Sequence, residues 1–123
     1  MFKIFNVNSG LEAEFDYAVT KKGYIIDYCG NGEYWTFIDE KKFKVIPTAD
    51  LKKHNLAFTI IEPADFDYID IYRVDDLYIA HDYNSHHDKE GVWYIVKDIK
   101  VFKEKCSNSY SFIAYGNNYM EEL

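Results

Sequence analysis

Turn-forming residues cut this 123-residue chain into short pieces, and that punctuation restricts its fold more than any other feature. Gly30-Asn31-Gly32 separates two aromatic-rich runs, Tyr24–Cys29 and Glu33–Ile38. Asn-Gly there signals a β-hairpin, because both central residues of such a turn need positive φ. Similar breaks recur about every 8–12 residues. Asn8-Ser9-Gly10 closes a first strand over Phe2–Val7, and Lys21-Lys22-Gly23 ends a second that carries Phe15, Tyr17 and Val19 in alternation. Pro47 stops Phe43–Ile46, and Pro63 stops the apolar run Leu56–Ile61, since proline removes a ladder donor. Between them Thr48 is an acceptable N-cap, and Asp50 suits the first turn, for a short helix over Ala49–Asn55.

Further on, Phe66–Val74 alternates with Tyr68, Asp70 and Tyr72 on one face and Asp67, Ile69, Ile71 and Arg73 on the other. Asp75-Asp76 turns the chain into Leu77–His81, and Tyr83–Gly91 reads as a polar loop. Val92–Lys103 is the longest expected strand, Tyr110–Tyr115 the last, and the tail GNNYMEEL frays or makes one helical turn. The expected fold is mostly β: a single domain over residues 1–123, an antiparallel sandwich or barrel of about 8–9 short strands with one short helix, with α+β as the alternative.

Charge is distributed unevenly over these elements. Residues 62–90 hold nine of the 21 carboxylates but only two of the 14 bases, Arg73 and Lys89, so the remainder carries twelve of each and the whole net charge of −7 lies in this segment. It also holds Tyr68, Tyr72, Tyr78 and Tyr83 and three of the four histidines. Acidity of this kind excludes a phosphate-binding stripe and docking on an anionic membrane. It suits a basic protein partner, and aromatics are enriched at such interfaces. Arg73, amid the acids, is expected to pair with Asp67, Asp75 or Asp76.

Catalytic motifs are not evident. His81, His86, His87 and Asp88 have metal-ligand chemistry, but adjacent His86 and His87 would point to opposite faces of a strand and no second ligand pair completes a known spacing. Asp70, in register with Tyr68 and Tyr72, would be a general acid only if that face were enclosed; the expectation is an outward face. Cys29 and Cys106 stand 77 positions apart with no metal spacing and read as reduced thiols. The N-terminal MFKIFNVNSG lacks a signal peptide's apolar core and cleavage site, and no apolar run is long enough to span a membrane, so a cytoplasmic location is expected.

These features lead to an expected function of non-enzymatic binding, with no cofactor. The chain reads as a small acidic module of inhibitor or immunity type that blocks a basic protein partner, with a toxin or a nucleic-acid-processing enzyme as the candidates. Asp67, Tyr68, Asp70, Tyr72, Asp75, Asp76, Tyr78, Asp82 and Tyr83 are the expected contacts. The alternatives are a small-ligand β-barrel or a metal-dependent enzyme built on His81–Asp88, and a domain whose acidity merely confers solubility.

Overall fold

A computed structural model describes residues 2–5, 12–15, 17–19, 25–29, 34–39, 42–75, 77–96 and 98–123, with side chains for Trp35 and for those from Val45 onward. The expected turns at Asn8–Gly10, Lys21–Gly23 and Gly30–Gly32, and Asp76, lie outside these residues.

The chain is mostly β. Its strands are β1 (Phe2–Phe5), β2 (Glu12–Phe15), β3 (Tyr17–Val19), β4 (Ile25–Cys29), β5 (Tyr34–Asp39), β6 (Lys42–Pro47), β7 (Leu56–Glu62), β8 (Asp67–Val74), β9 (Leu77–Asn84), β10 (Asp88–Val96), β11 (Phe112–Tyr115) and β12 (Met120–Glu122). Helices α1 (Thr48–His54) and α2 (Ile99–Cys106) complete the elements. One sheet runs β12-β11-β7-β8-β9-β10-β1-β2, and a second runs β3-β4-β5-β6. The hairpin expected across Asn31 exists as the antiparallel pair β4–β5, with Cys29 opposite Tyr34. Six strands of the larger sheet, β12 to β10, are antiparallel neighbours, whereas β1 joins β10 in parallel.

Alternation explains where the core lies. In β8 the residues Ile69 and Ile71 face one way, joining Phe58, Ile60, Tyr94 and Val96 against Phe102 and Cys106 of α2. Tyr72 and Val74 face the other way, meeting Leu77, Ile79 and Ile95 together with Trp35 and Ile46 of the smaller sheet and Leu51 of α1. The central strands are therefore covered on both faces, and each fully buried Ile or Phe contributes roughly 1.5–3 kcal/mol of transfer free energy.

Five features differ from the sequence reading. The strand expected over Val92–Lys103 ends at Val96, and residues 99–106 form α2. Asp98 caps that helix, its Oδ1 accepting from the Lys100 and Val101 amides at 3.1 and 3.2 Å. Phe102 and Cys106, four apart, supply its buried face. The loop expected over Tyr83–Gly91 shrinks to residues 85–87, because β9 and β10 extend into it. The second expected strand divides into β2 and β3, which enter different sheets. The tail pairs with β11 as β12. At α1 the N-cap position is Pro47 and Thr48 is the first helical residue, with no side-chain cap.

Candidate functional site

Most of the described carboxylates of the acidic segment fall in three places. Two of its carboxylates, Asp70 and Asp82, sit mid-strand on opposite faces of the larger sheet. Asp70 lies opposite Thr59 of β7 and His81 of β9. Its carboxylate accepts the Thr59 hydroxyl at 2.8 Å and the Tyr72 hydroxyl at 3.4 Å, and the Tyr83 phenol lies near enough to feel its charge. Burial, with Asp70 nearby, pushes the Tyr72 and Tyr83 phenols well above their ordinary range, so both remain protonated donors.

His81 adjoins this carboxylate and is only 6% exposed. Its ring is stacked between Trp93, at 4.2 Å and 7°, and Tyr83, at 4.7 Å and 27°. The Nε2–H donates to the Glu90 carbonyl at 2.7 Å. Burial depresses its pKa below the usual imidazole value, a shift that the Glu90 bond partly opposes and Lys52 reinforces. Lys52 Nζ stands 5.6 Å from the Trp93 ring centre.

Asp82 anchors the opposite face, accepting the hydroxyls of Tyr94 at 3.3 Å and Tyr110 at 3.4 Å. Burial pushes the Cys106 thiol, on the same side, up to about 12, and the thiol is free. Such a cysteine is an inert core group rather than a nucleophile. Both nodes are internally satisfied, so the outward face expected for Tyr68, Asp70 and Tyr72 is a covered one, with Tyr72 3% exposed.

The third place is one end of the larger sheet, where register aligns the strand termini. Glu62 of β7 pairs with Asp67 of β8, Asp67 with Asn84 of β9, and Asn84 with Asp88 of β10. Ser111 Oγ donates to Glu62 at 2.6 Å from the β11 side. Asn84 organises the two turns between these strands. Its Nδ2 donates to the Asp65 carbonyl and the Asp67 carboxylate at 2.8 and 2.7 Å, while its Oδ1 accepts the His86 and His87 amides at 2.8 and 2.9 Å. Phe66 lies at the apex with φ 57°, a left-handed conformation that costs a bulky residue about 1–2 kcal/mol. Its carbonyl accepts the Ser85 amide at 3.0 Å, and its ring, 43% exposed, lies 3.9 Å from that of His86. Asp65, next to Phe66, and Asp88 and Glu90 at the start of β10 are exposed, as is Lys89 between them.

The other expected contacts lie elsewhere. Asp75 is exposed at the opposite end of β8, where Arg73 Nε donates to its backbone carbonyl at 2.7 Å. Arg73 also lies over the Tyr78 ring at 5.6 Å. Tyr68 and Tyr83 are half-buried, stacked on each other at 5.6 Å. His81 is separated from the metal candidates His86, His87 and Asp88, being interior while they are exposed. Among the described residues no group of three or more His, Cys, Asp or Glu side chains could hold a metal ion, and no helix is long and apolar enough to cross a membrane.

Sequence reasoning passed over Asp65, Phe66, Asn84 and Glu90. Asn84-Ser85 carried a legible signal, since Asn side chains bond backbone amides two residues on. No protein-family model, curated protein or solved structure matches the chain.

Proposed function

We propose that this chain is an acidic protein-binding module of inhibitor or immunity type, acting in the cytoplasm to block a basic, nucleic-acid-processing partner. The observation that supports this reading is the carboxylate-rich end of the larger sheet. There register aligns Glu62, Asp67 and Asp88, Asp65 and Glu90 are exposed in the adjoining segments, and the turn between β7 and β8 presents an exposed aromatic, Phe66, in a strained conformation. A one-signed field of this kind accelerates encounter with a positive surface. An aromatic at its centre supplies short-range energy that charges alone do not. The interior nodes at Asp70 and Asp82 serve a different purpose in this reading. They fix the strands whose ends carry the contacts, and Tyr68, Tyr72, Tyr78 and Tyr83 contribute to that frame more than to the contact itself.

The test is capture of a partner from host lysate by immobilised wild type and by the triple variant Asp65→Asn, Asp88→Asn, Glu90→Gln. These amides keep side-chain volume and remove charge at exposed positions. A single basic protein retained by the wild type should associate about tenfold more slowly with the variant, and the difference should shrink at high salt. Equal association rates for the two proteins at low salt would refute the reading.

A further inference from the structure

The larger sheet ends at β12, which among the described residues has a hydrogen-bonded neighbour on one side only. Its pairing with β11 determines which backbone groups are spare. Tyr119 and Leu123 lie on the bonded side, since the Tyr115 amide donates to the Tyr119 carbonyl at 2.8 Å and the Leu123 amide to the Ser111 carbonyl at 2.9 Å. With Ile113 opposite Glu121 in the same register, Glu121 shares that side. Antiparallel alternation then turns the N–H and C=O groups of Met120 and Glu122 away from the sheet. The strand therefore offers two donors and two acceptors in a line.

Its side chains indicate what would lie against it. Tyr119 and Met120 are 56% and 52% exposed, among the most exposed large hydrophobic residues described. Glu121 and Glu122 are exposed carboxylates beside them. Residues 116–122 contain neither lysine nor proline, the residues that commonly guard an open edge. A second copy pairing here antiparallel would bring its own Glu121 and Glu122 towards these carboxylates, and like charges across a ladder are unfavourable. A basic chain has the complementary charge.

We propose that β12 is a docking edge that accepts an extended, basic peptide segment of a partner protein as an added antiparallel strand. The proposal rests on the reading of the chain as a binder of basic proteins and names the kind of segment it takes. Register sets the recognition pattern. Read from its N-terminus, the segment places a basic residue opposite Glu122, a second opposite Glu121, an apolar residue opposite Met120 and an aromatic one opposite Tyr119. Main-chain bonds to Met120 and Glu122 would supply affinity, and the cross-strand pairs would supply selectivity.

A labelled peptide, Gly-Ser-Arg-Lys-Val-Tyr-Ser-Gly, titrated into the intact chain tests this directly. N-methylation of Arg and Val blocks the two amides that would face β12, whereas N-methylation of Lys and Tyr blocks amides that face away. The first should weaken binding about tenfold or more and the second by less than about threefold. E121K/E122K should abolish the difference by removing binding of the parent peptide. The triple variant at Asp65, Asp88 and Glu90 should bind the peptide as the wild type does, so a failed sheet-end contact and a failed edge are distinguishable. Equal weakening by both methylated peptides would mean attraction by charge alone and would overturn the proposal. So would absence of binding up to about millimolar peptide, or a dimer of the unliganded chain in sedimentation that Met120→Pro dissociates.

Discussion

His81 concentrates the chemistry of this chain into one side chain. A histidine in a strand between Ala80 and Asp82 looks like part of a polar run with His86 and His87, yet cross-strand pairing places it under Trp93 and opposite Asp70. Its single described donor bond goes to a backbone carbonyl, and its ring is stacked on both sides, so the neutral form is the one this site accommodates. Asp70, Asp88 and Lys52 are the charged groups that act on it, and burial outweighs them. Because the folded pKa lies below the unfolded value of about 6.5, the unfolded chain takes up a proton first as the pH falls. Stability from this group is complete above about pH 6.5 and is lost as the pH drops towards the folded value, by at most about 1.4 kcal/mol per pH unit. Thermal unfolding between about pH 7.5 and about pH 5.5, roughly one unit either side of the unfolded imidazole, should show a falling Tm for the wild type. His81→Gln should have a flatter curve, since it retains a donor for the Glu90 carbonyl but cannot be protonated. Parallel curves would remove His81 from the account.

At the level of elements, the sheet end depends on a defect in β10. Register against β9 shifts between Asp88 and Val92, and Gly91 sits in that irregularity with φ 60°. A Cβ at Gly91 would overlap the Asp82 carbonyl and crowd Tyr83 Cβ. The bulge also brings the Glu90 carbonyl to His81 and turns Asp88 and Glu90 outward, so one glycine connects the interior node with the acidic turns. Gly91→Ala should cost about 2–4 kcal/mol through the clash and the positive φ together. Denaturant unfolding measures it, and a loss below about 0.5 kcal/mol would mean that β10 tolerates a side chain there.

Local pattern carried some of these elements and not others. The β4–β5 pair, β7 and β8 were legible because their alternation or apolar runs were bounded by Asn-Gly or proline. The segment around α2 was not. In Val-Trp-Tyr-Ile-Val-Lys-Asp-Ile-Lys-Val-Phe-Lys the apolar residues fit a strand throughout, and only the capping role of Asp98 separates strand from helix. At the site, composition identified the acidic segment, but its division into two interior nodes and one exposed end is a consequence of register. Alternation separates Asp70 in β8 from Asp65 in the turn after Pro63, but nothing local shows that hydroxyls from β7 and β8 close over Asp70.

On the scale of the whole molecule, the central strands of the larger sheet are covered on both faces, by α2 on one and by α1 and the smaller sheet on the other. Among the described residues, the exposed turns at the sheet's ends and the β12 edge are the places where we propose a partner binds. Charge separates the two ends: Glu62, Asp65, Asp67, Asp88 and Glu90 gather at one, while Arg73 and Asp75 lie at the other. The acidic end is the proposed point of attachment of the partner's body, with β12 taking an extended segment of it. Amide hydrogen exchange of the chain, free and bound to its captured partner, locates that attachment most directly. Slowed exchange is predicted across residues 64–67 and 84–90, and at Met120 and Glu122 where a strand is added, with α1 and residues 73–78 unchanged. Slowed exchange at α1 and 73–78, with the acidic turns exchanging as in the free chain, would contradict it.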